Sequence, residues 1–132
     1  MKSINFTVLR EKLIKGEKKQ TTRCLFIPPY IPEEIVWITY KKIRIYQAVI
    51  GEYYPKKIQD LTTEEAIRDG FNTKEGYIEG LMKINNIKDP RRFCFVIPFE
   101  HIGELDYDFL DKLTRPKKEL NILNWLIQEV EN

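Results

Sequence analysis

Gly16-Glu17-Lys18-Lys19-Gln20-Thr21-Thr22-Arg23 is the stretch on which the reading of this chain turns. It has the form G-x-K-x-x-T-x-R: a turn glycine, then an ammonium, a hydroxyl and a guanidinium in close succession. In an extended segment alternate side chains share a face, so Thr21 and Arg23 would point the same way. Lys18 has the length to join them from the preceding turn. Such a cluster suits a phosphate or carboxylate, with arginine offering a planar fork and lysine a point charge. By composition alone residues 17–24 read as polar loop, and a solvated basic loop is the plain alternative.

The flanking sequence supplies the frame. Residues 4–7 read as a short strand, and Thr7 is placed to cap a helix running to about Lys15. That helix would bury Leu9, Leu13 and Ile14, with Gly16 as its left-handed stop. Residues 27–32, Ile-Pro-Pro-Tyr-Ile-Pro, must be extended and irregular, because three prolines remove three donors. Ile35–Tyr40 and residues 42–53 are strand-like, rich in Ile, Val, Tyr and Trp. Thr62 and Glu65 stand at capping-box spacing at the start of a helix that Gly70 ends. A second helix is expected over residues 73–84, with Tyr77, Leu81 and Ile84 on one face. Residues 92–99 return as a strand, and residues 117–130 form an amphipathic segment whose apolar face includes Trp125. This order predicts an α+β fold, a small β-barrel or strongly curved sheet with flanking helices, and argues against a doubly wound parallel sheet.

Composition narrows the chemistry. The chain has 132 residues and a net charge of +2, from 22 Lys+Arg against 20 Asp+Glu. That length suits one domain with a core of its own. It holds one histidine (His101), one serine (Ser3) and two cysteines (Cys24, Cys94). No usual zinc site can be assembled from this inventory. A Ser-His-Asp triad would need its serine in the frayed N-terminus. Catalysis, if present, falls to Lys, Thr, Tyr, Arg or carboxylates, and no cofactor is implied.

No stretch approaches the roughly 18 apolar residues of a membrane span, and the N-terminus lacks an apolar leader core. The expectation is a cytoplasmic protein without a membrane partner. Two cysteines without a framework spacing agree with a reducing compartment, and a Cys24–Cys94 bridge stays open. Eighteen isoleucines, fifteen lysines and four glutamines give a thermophile-like composition, which an AT-rich coding sequence would equally produce. Charge is uneven, +5 over residues 1–30 and −4 over residues 61–110.

The eight-residue pattern resembles the signature of the ASCH family, small domains with a PUA-like barrel. Residues 61–71, Leu-Thr-Thr-Glu-Glu-Ala-Ile-Arg-Asp-Gly-Phe, are similar to the family's second element, a capped helix followed by alanine, an acidic residue, glycine and an aromatic. The resemblance spans about residues 3–100. It implies an ASCH/PUA-like domain over residues 1–104 and a C-terminal helical extension over 105–132, packed on or beside it. It also implies a cleft lined by both motifs that binds RNA or nucleosides. Some members are small amidohydrolases that deacylate N4-acetylcytidine, using the motif lysine, the motif threonine and the acidic residue of the second element. Here these positions are Lys18, Thr21 and Asp69, with Arg23 as a ligand anchor. Those enzymes carry glutamate where this chain has Asp69, one methylene shorter, and a misplacement of about 1 Å can cost roughly a hundredfold in rate.

Three functional readings follow: an RNA- or nucleoside-binding domain with a basic cleft, an amidohydrolase with Thr21 as nucleophile and Lys18 as base, and a non-catalytic protein-interaction module. Lys41, Lys42 and Arg44, interleaved with aromatics in residues 37–54, are further ligand-binding candidates for single-stranded RNA. The simpler view is a two-faced strand pair with its lysines in water. Lys56-Lys57 and Arg91-Arg92 are weaker phosphate candidates. Glu64 and Glu65 could stand in for Asp69, although N-terminal charges on a helix explain them more simply. His101 reads as structural or surface, and Cys24 as a packed thiol. The C-terminal helix could support a homodimer.

Overall fold

The structure is a computed structural model and describes residues 1–103. The helix expected over residues 117–130, and any dimer contact through it, lies outside the described residues.

Ten short elements follow in order: β1 (Ser3–Phe6), α1 (Arg10–Ile14), β2 (Gln20–Cys24), β3 (Ile35–Tyr40), β4 (Ile43–Ile50), β5 (Tyr54–Lys57), a 3₁₀ turn (Ile58–Asp60), α2 (Thr63–Arg68), α3 (Lys74–Ile84) and β6 (Phe93–His101). They form an α+β fold around one mixed sheet in the order β1-β3-β4-β6-β2. β1 runs parallel to β3, and the other pairings are antiparallel. Of the two forms expected, barrel or curved sheet, the sheet is the open one: β1 and β2 are its two ends and do not pair.

Residues 42–53, expected as one strand, divide. β4 and β5 lie end to end along the same edge of β6, with Ile50 opposite Phe99 and Tyr54 opposite Val96. The register shifts by one residue between them, a bulge carried by residues 51–53. The tip of the β3–β4 hairpin is Lys41-Lys42, both left-handed at φ 48° and 67°. A two-residue hairpin turn of this kind needs positive φ at both positions, which Asn-Gly normally supplies. Main-chain bonds hold it to β1: Lys41 N–H donates to Phe6 O at 2.9 Å, and Lys42 N–H to Asn5 Oδ1 at 2.7 Å.

Alternate residues of β6 enter two apolar clusters. Ile97 and Phe99 join Phe6, Leu13, Tyr30 and Tyr46, whereas Cys94 and Val96 join Ile58, Leu61, Ala66, Tyr77 and Leu81 beneath α2 and α3. β2, beside β6, is covered on both faces in the same way. This corrects the reading of residues 17–24 as loop. A strand of Gln, Thr, Thr, Arg and Cys shows no apolar alternation, yet four of its five residues are buried. Two further expectations shift. Leu9, not Thr7, caps α1, in left-handed backbone without a side-chain bond. Ile84 is 69% exposed, so the buried stripe of α3 is Tyr77 and Leu81.

The capping box of α2 is present: Thr62 Oγ1 accepts from Glu65 N–H, and Glu65 accepts from Thr62 N–H. Gly70 then ends the helix at φ 97°. A Cβ there would also sit 3.2 Å from Leu9 Cδ1. Gly70→Ala should therefore destabilise the fold by about 1–2 kcal/mol, the cost of a left-handed non-glycine residue, measurable as a lower denaturant midpoint at unchanged slope.

Candidate active site

α2 ends against the segment that leads into β2. Lys19 N–H donates to Arg68 O at 2.8 Å, Lys18 Nζ to Asp69 O at 2.7 Å, and Lys12 Nζ to Gly70 O at 2.7 Å. Three consecutive carbonyls at a helix C-terminus are thus satisfied, two of them by cations, as the helix dipole favours. This docking sets the central contact: Lys18 Nζ donates to Asp69 Oδ1 in a buried ion pair, with residue exposures of 3% and 4%.

The second carboxylate oxygen is held from β2. Thr22 Oγ1 donates to Asp69 Oδ2 at 2.6 Å, and Gln20 Nε2 approaches it at 3.4 Å. A hydroxyl has one proton, so with Thr22 donating to Asp69, Tyr77 Oη donates to Thr22 Oγ1. Gln20 itself is fully buried; its amide nitrogen also reaches Glu65 O at 3.1 Å, and its oxygen accepts from Arg68 Nε at 3.2 Å. Gln20, Thr22 and Tyr77 are the supporting residues that the sequence reading missed.

The other face of β2 carries Thr21 and Arg23, pointing the same way as expected. Arg23 Nε donates to Thr21 Oγ1 at 2.9 Å, and its Nη2 crosses to Asn5 O of β1 at 3.0 Å. The guanidinium therefore bridges the seam where the sheet stays open. Below it the Phe6 ring lies 5.3 Å from Arg23 Cζ and 5.2 Å from Lys18 Nζ.

A cavity of about 380 Å³ opens along this seam. Lys18, Thr21, Thr22, Arg23 and Asp69 contribute its polar lining. Its apolar lining includes Val8, Leu25 and Ile84, themselves 49%, 67% and 69% exposed, together with Phe71 and Leu81. Lys18 also borders a second cavity of about 470 Å³, with Lys19, Tyr46, Arg68 and His101. His101 is exposed, its ring 4.4 Å from that of Tyr46. Burial pushes the Lys18 pKa below the ordinary lysine value; the Asp69 carboxylate opposes this, and the Arg23 charge adds to it.

The remaining candidates lie elsewhere. Lys41, Lys42 and Arg44 do not line the cavity: the first two form the hairpin tip, and Arg44 Cζ stands 4.9 Å over the Trp37 ring. Glu64 is exposed, and Glu65 is taken up by Lys56 at 2.8 Å, by Tyr54 and by Thr62. Burial raises the Glu65 pKa, but these hydrogen bonds outweigh it and hold the group below the usual value. The Tyr54 hydroxyl is raised to about 12 by burial and by this carboxylate. Among the described residues no cluster of His, Cys, Asp and Glu could hold a metal ion. No described helix is long and apolar enough to cross a membrane.

The open mixed sheet with its flanking helices is an ASCH-like fold. Solved structures bear this out. An ASCH domain from Lactobacillus crispatus matches with a TM-score of 0.66 at 12% identity, over 78% of this chain and 80% of that one. A DUF984 protein from Enterococcus faecalis matches at 0.63 and 12% identity, over 80% and 77%. ASCH from Zymomonas mobilis matches at 0.56 and 13% identity, over 88% and 82%. At these identities the likeness is one of fold. No protein-family model matches the sequence, and no curated protein matches it.

Removing one charge of the buried pair strands the other. Asp69→Asn should cost about 3–5 kcal/mol at neutral pH. The deficit should shrink as pH rises towards the wild-type Lys18 pKa, because the variant's lysine, without the carboxylate that raises its pKa, releases its proton first. In that window the variant's unfolded chain keeps the lysine proton that its folded chain has released, so the variant gains stability with pH before wild type does. Urea denaturation at several pH values measures both effects.

Proposed function

We propose that the cleft takes a nucleoside-class ligand and hydrolyses an amide on it, with Thr21 as nucleophile and Lys18 as base. The observation that carries this reading is the buried Lys18–Asp69 pair at the wall of a cavity that Thr21 and Arg23 also line. A cavity of about 380 Å³ falls within the size range of small-ligand sites. Its division into a charged part and an apolar lip suits a ligand with a polar reacting group and a flat apolar body.

The chemistry follows from the residues. Threonine is a weak nucleophile and needs a base to take its proton. A lysine serves only when neutral, and burial favours its neutral form. The Thr21 oxygen adds to the acyl carbonyl as Lys18 removes the hydroxyl proton. Asp69 then faces the newly formed ammonium, and Arg23, already donating to Thr21 Oγ1, stabilises negative charge developing there. The lysine returns its proton to the departing amine. Water, deprotonated by the same lysine, then adds to the ester carbonyl; the bond to Thr21 breaks, its oxygen takes the proton back from Lys18, and a carboxylic acid and a free amine are left.

A second reading is binding without turnover, with the nucleoside part of an RNA strand. It draws on the hairpin tip: the main-chain N–H groups of Lys41 and Lys42 are fixed to Phe6 and Asn5, which line the cleft, and the tip adds positive charge near it. The third, a protein-interaction module, rests on the C-terminal segment.

N4-acetylcytidine is the probe for the test. Wild-type protein should release cytidine at a rate that climbs with pH through a pKa below 10.5. Thr21→Ala and Lys18→Arg should each lower it at least ~100-fold, since the arginine keeps the charge beside Asp69 but cannot act as a base. Saturable nucleoside binding without cytidine release supports the binding reading instead, and RNA affinity that falls with salt and with loss of Lys41 and Lys42 identifies its RNA form. Neither binding nor release sinks both.

A further inference from the structure

Cys24 and Cys94 take no part in the chemistry above, yet the sheet sets them face to face. They are register partners on β2 and β6, and both belong to the apolar cluster beneath α2 and α3. The hydrogen-bond pattern of the ladder shows which kind of pair they are. Phe99 N–H donates to Lys19 O at 3.0 Å, so Lys19 and Phe99 are a hydrogen-bonded pair. Such pairs alternate with non-hydrogen-bonded ones along an antiparallel ladder. Counting along the register makes Gln20–Pro98, Thr22–Val96 and Cys24–Cys94 non-hydrogen-bonded. Pro98 agrees: its carbonyl turns away from β2 and accepts from Gly51 N–H at 2.9 Å.

A non-hydrogen-bonded pair brings Cα atoms to about 4.5 Å with the side chains close together. That spacing is within the range of roughly 4.4–6.8 Å that a disulfide spans without moving the backbone. Both cysteines are free thiols. Access differs between them: Cys24 borders the cavity, whereas Cys94 is 1% exposed and its Sγ donates to Lys56 O at 3.3 Å.

We propose that Cys24 and Cys94 are a redox-active dithiol that closes into an intramolecular disulfide when hydrogen peroxide enters the cleft, with Cys24 oxidised first. The Cys24 sulfur attacks one peroxide oxygen. The O–O bond breaks, hydroxide leaves with the thiol proton as water, and Cys24 becomes a sulfenic acid. The Cys94 sulfur then attacks the Cys24 sulfur. The S–S bond forms as the S–O bond breaks, and the second hydroxide leaves with the Cys94 proton as water. Two thiols lose two electrons and the peroxide is reduced to two waters.

The electrostatics agree with this order. The neighbouring Cys94 thiol lowers the Cys24 pKa, with the Arg92 charge adding to it against burial. The same contact, with burial, raises that of Cys94. The first sulfur is thus the better thiolate, and the second waits for a sulfenic acid beside it. The bond would clamp β2, the strand carrying Thr21 and Arg23, to β6.

The test treats the full folded chain with hydrogen peroxide and maps it without reduction. Met1, 72% exposed, is the internal gauge of oxidant dose. The expected product is a peptide crosslinked through Cys24 and Cys94, lighter by the two thiol hydrogens and restored by dithiothreitol. In Cys94→Ser a dimedone adduct should form on Cys24. In Cys24→Ser, Cys94 should react at least ~tenfold more slowly than Cys24 does in the first variant. Free thiols at a dose that converts Met1 to the sulfoxide overturn the proposal. So do sulfinic acid without a crosslink, and crosslinks only between chains.

Discussion

A lysine and an aspartate, both out of water, hold the end of α2 against the start of β2, and most of the site depends on that joint. Two charges in an apolar interior lose hydration that their mutual attraction only partly returns. The structure offsets part of the loss by giving each group further partners. Asp69 receives Lys18 on one oxygen and Thr22 on the other, and Lys18 adds the Asp69 carbonyl and the Phe6 ring to its carboxylate contact. Two apolar side chains could close the same joint at no greater cost, so stability alone does not account for charges here. An apolar pair cannot place a lysine with a weakened hold on its proton at the wall of a cavity. That difference is the physical argument for function at this position.

The open sheet makes the cavity possible. Unpaired strand ends normally have to be covered or blunted. Here β1 and β2 do not pair, and one side chain, Arg23, reaches from β2 to the Asn5 carbonyl of β1. The same guanidinium fixes Thr21. Closing the barrel by direct strand pairing would remove both the seam and the reason for the arginine. The place where the sheet is incomplete is thus the place where the cavity and its charged side chains lie.

The elements whose signals are local were legible from sequence. The capping box of Thr62 and Glu65, the left-handed Gly16 and Gly70, and the apolar β3 and β6 each follow from a few neighbouring residues. That Thr21 and Arg23 share a face followed only on the condition that their segment is extended. β2 could not be recognised as a strand, since hydrophobic periodicity registers apolar burial, and this strand buries an amide, two hydroxyls and part of a guanidinium. Their partners, Asp69 and Tyr77, are about fifty residues away, so nothing nearby in the chain marks Gln20 and Thr22 as buried. The division of β4 from β5 was hidden for a related reason: the bulge is defined against β6, forty residues on. Ile84 belongs to the apolar stripe of α3 by spacing, but it lies at the cleft mouth, where the stripe runs out into open space.

The aspartate at position 69 bears most directly on whether the joint can work. Judged by side-chain length, a carboxylate one methylene short of glutamate should fall away from its lysine. The geometry answers through the backbone. Asp69 is the C-cap of α2, and its own carbonyl accepts from Lys18 Nζ at 2.7 Å, so the main chain already stands beside the ammonium. From that position a short side chain closes the ring back to the same nitrogen while its other oxygen meets Thr22. The shorter residue and the close approach of the helix end are thus two halves of one arrangement, and the reach of the side chain cannot be judged apart from the helix that delivers it.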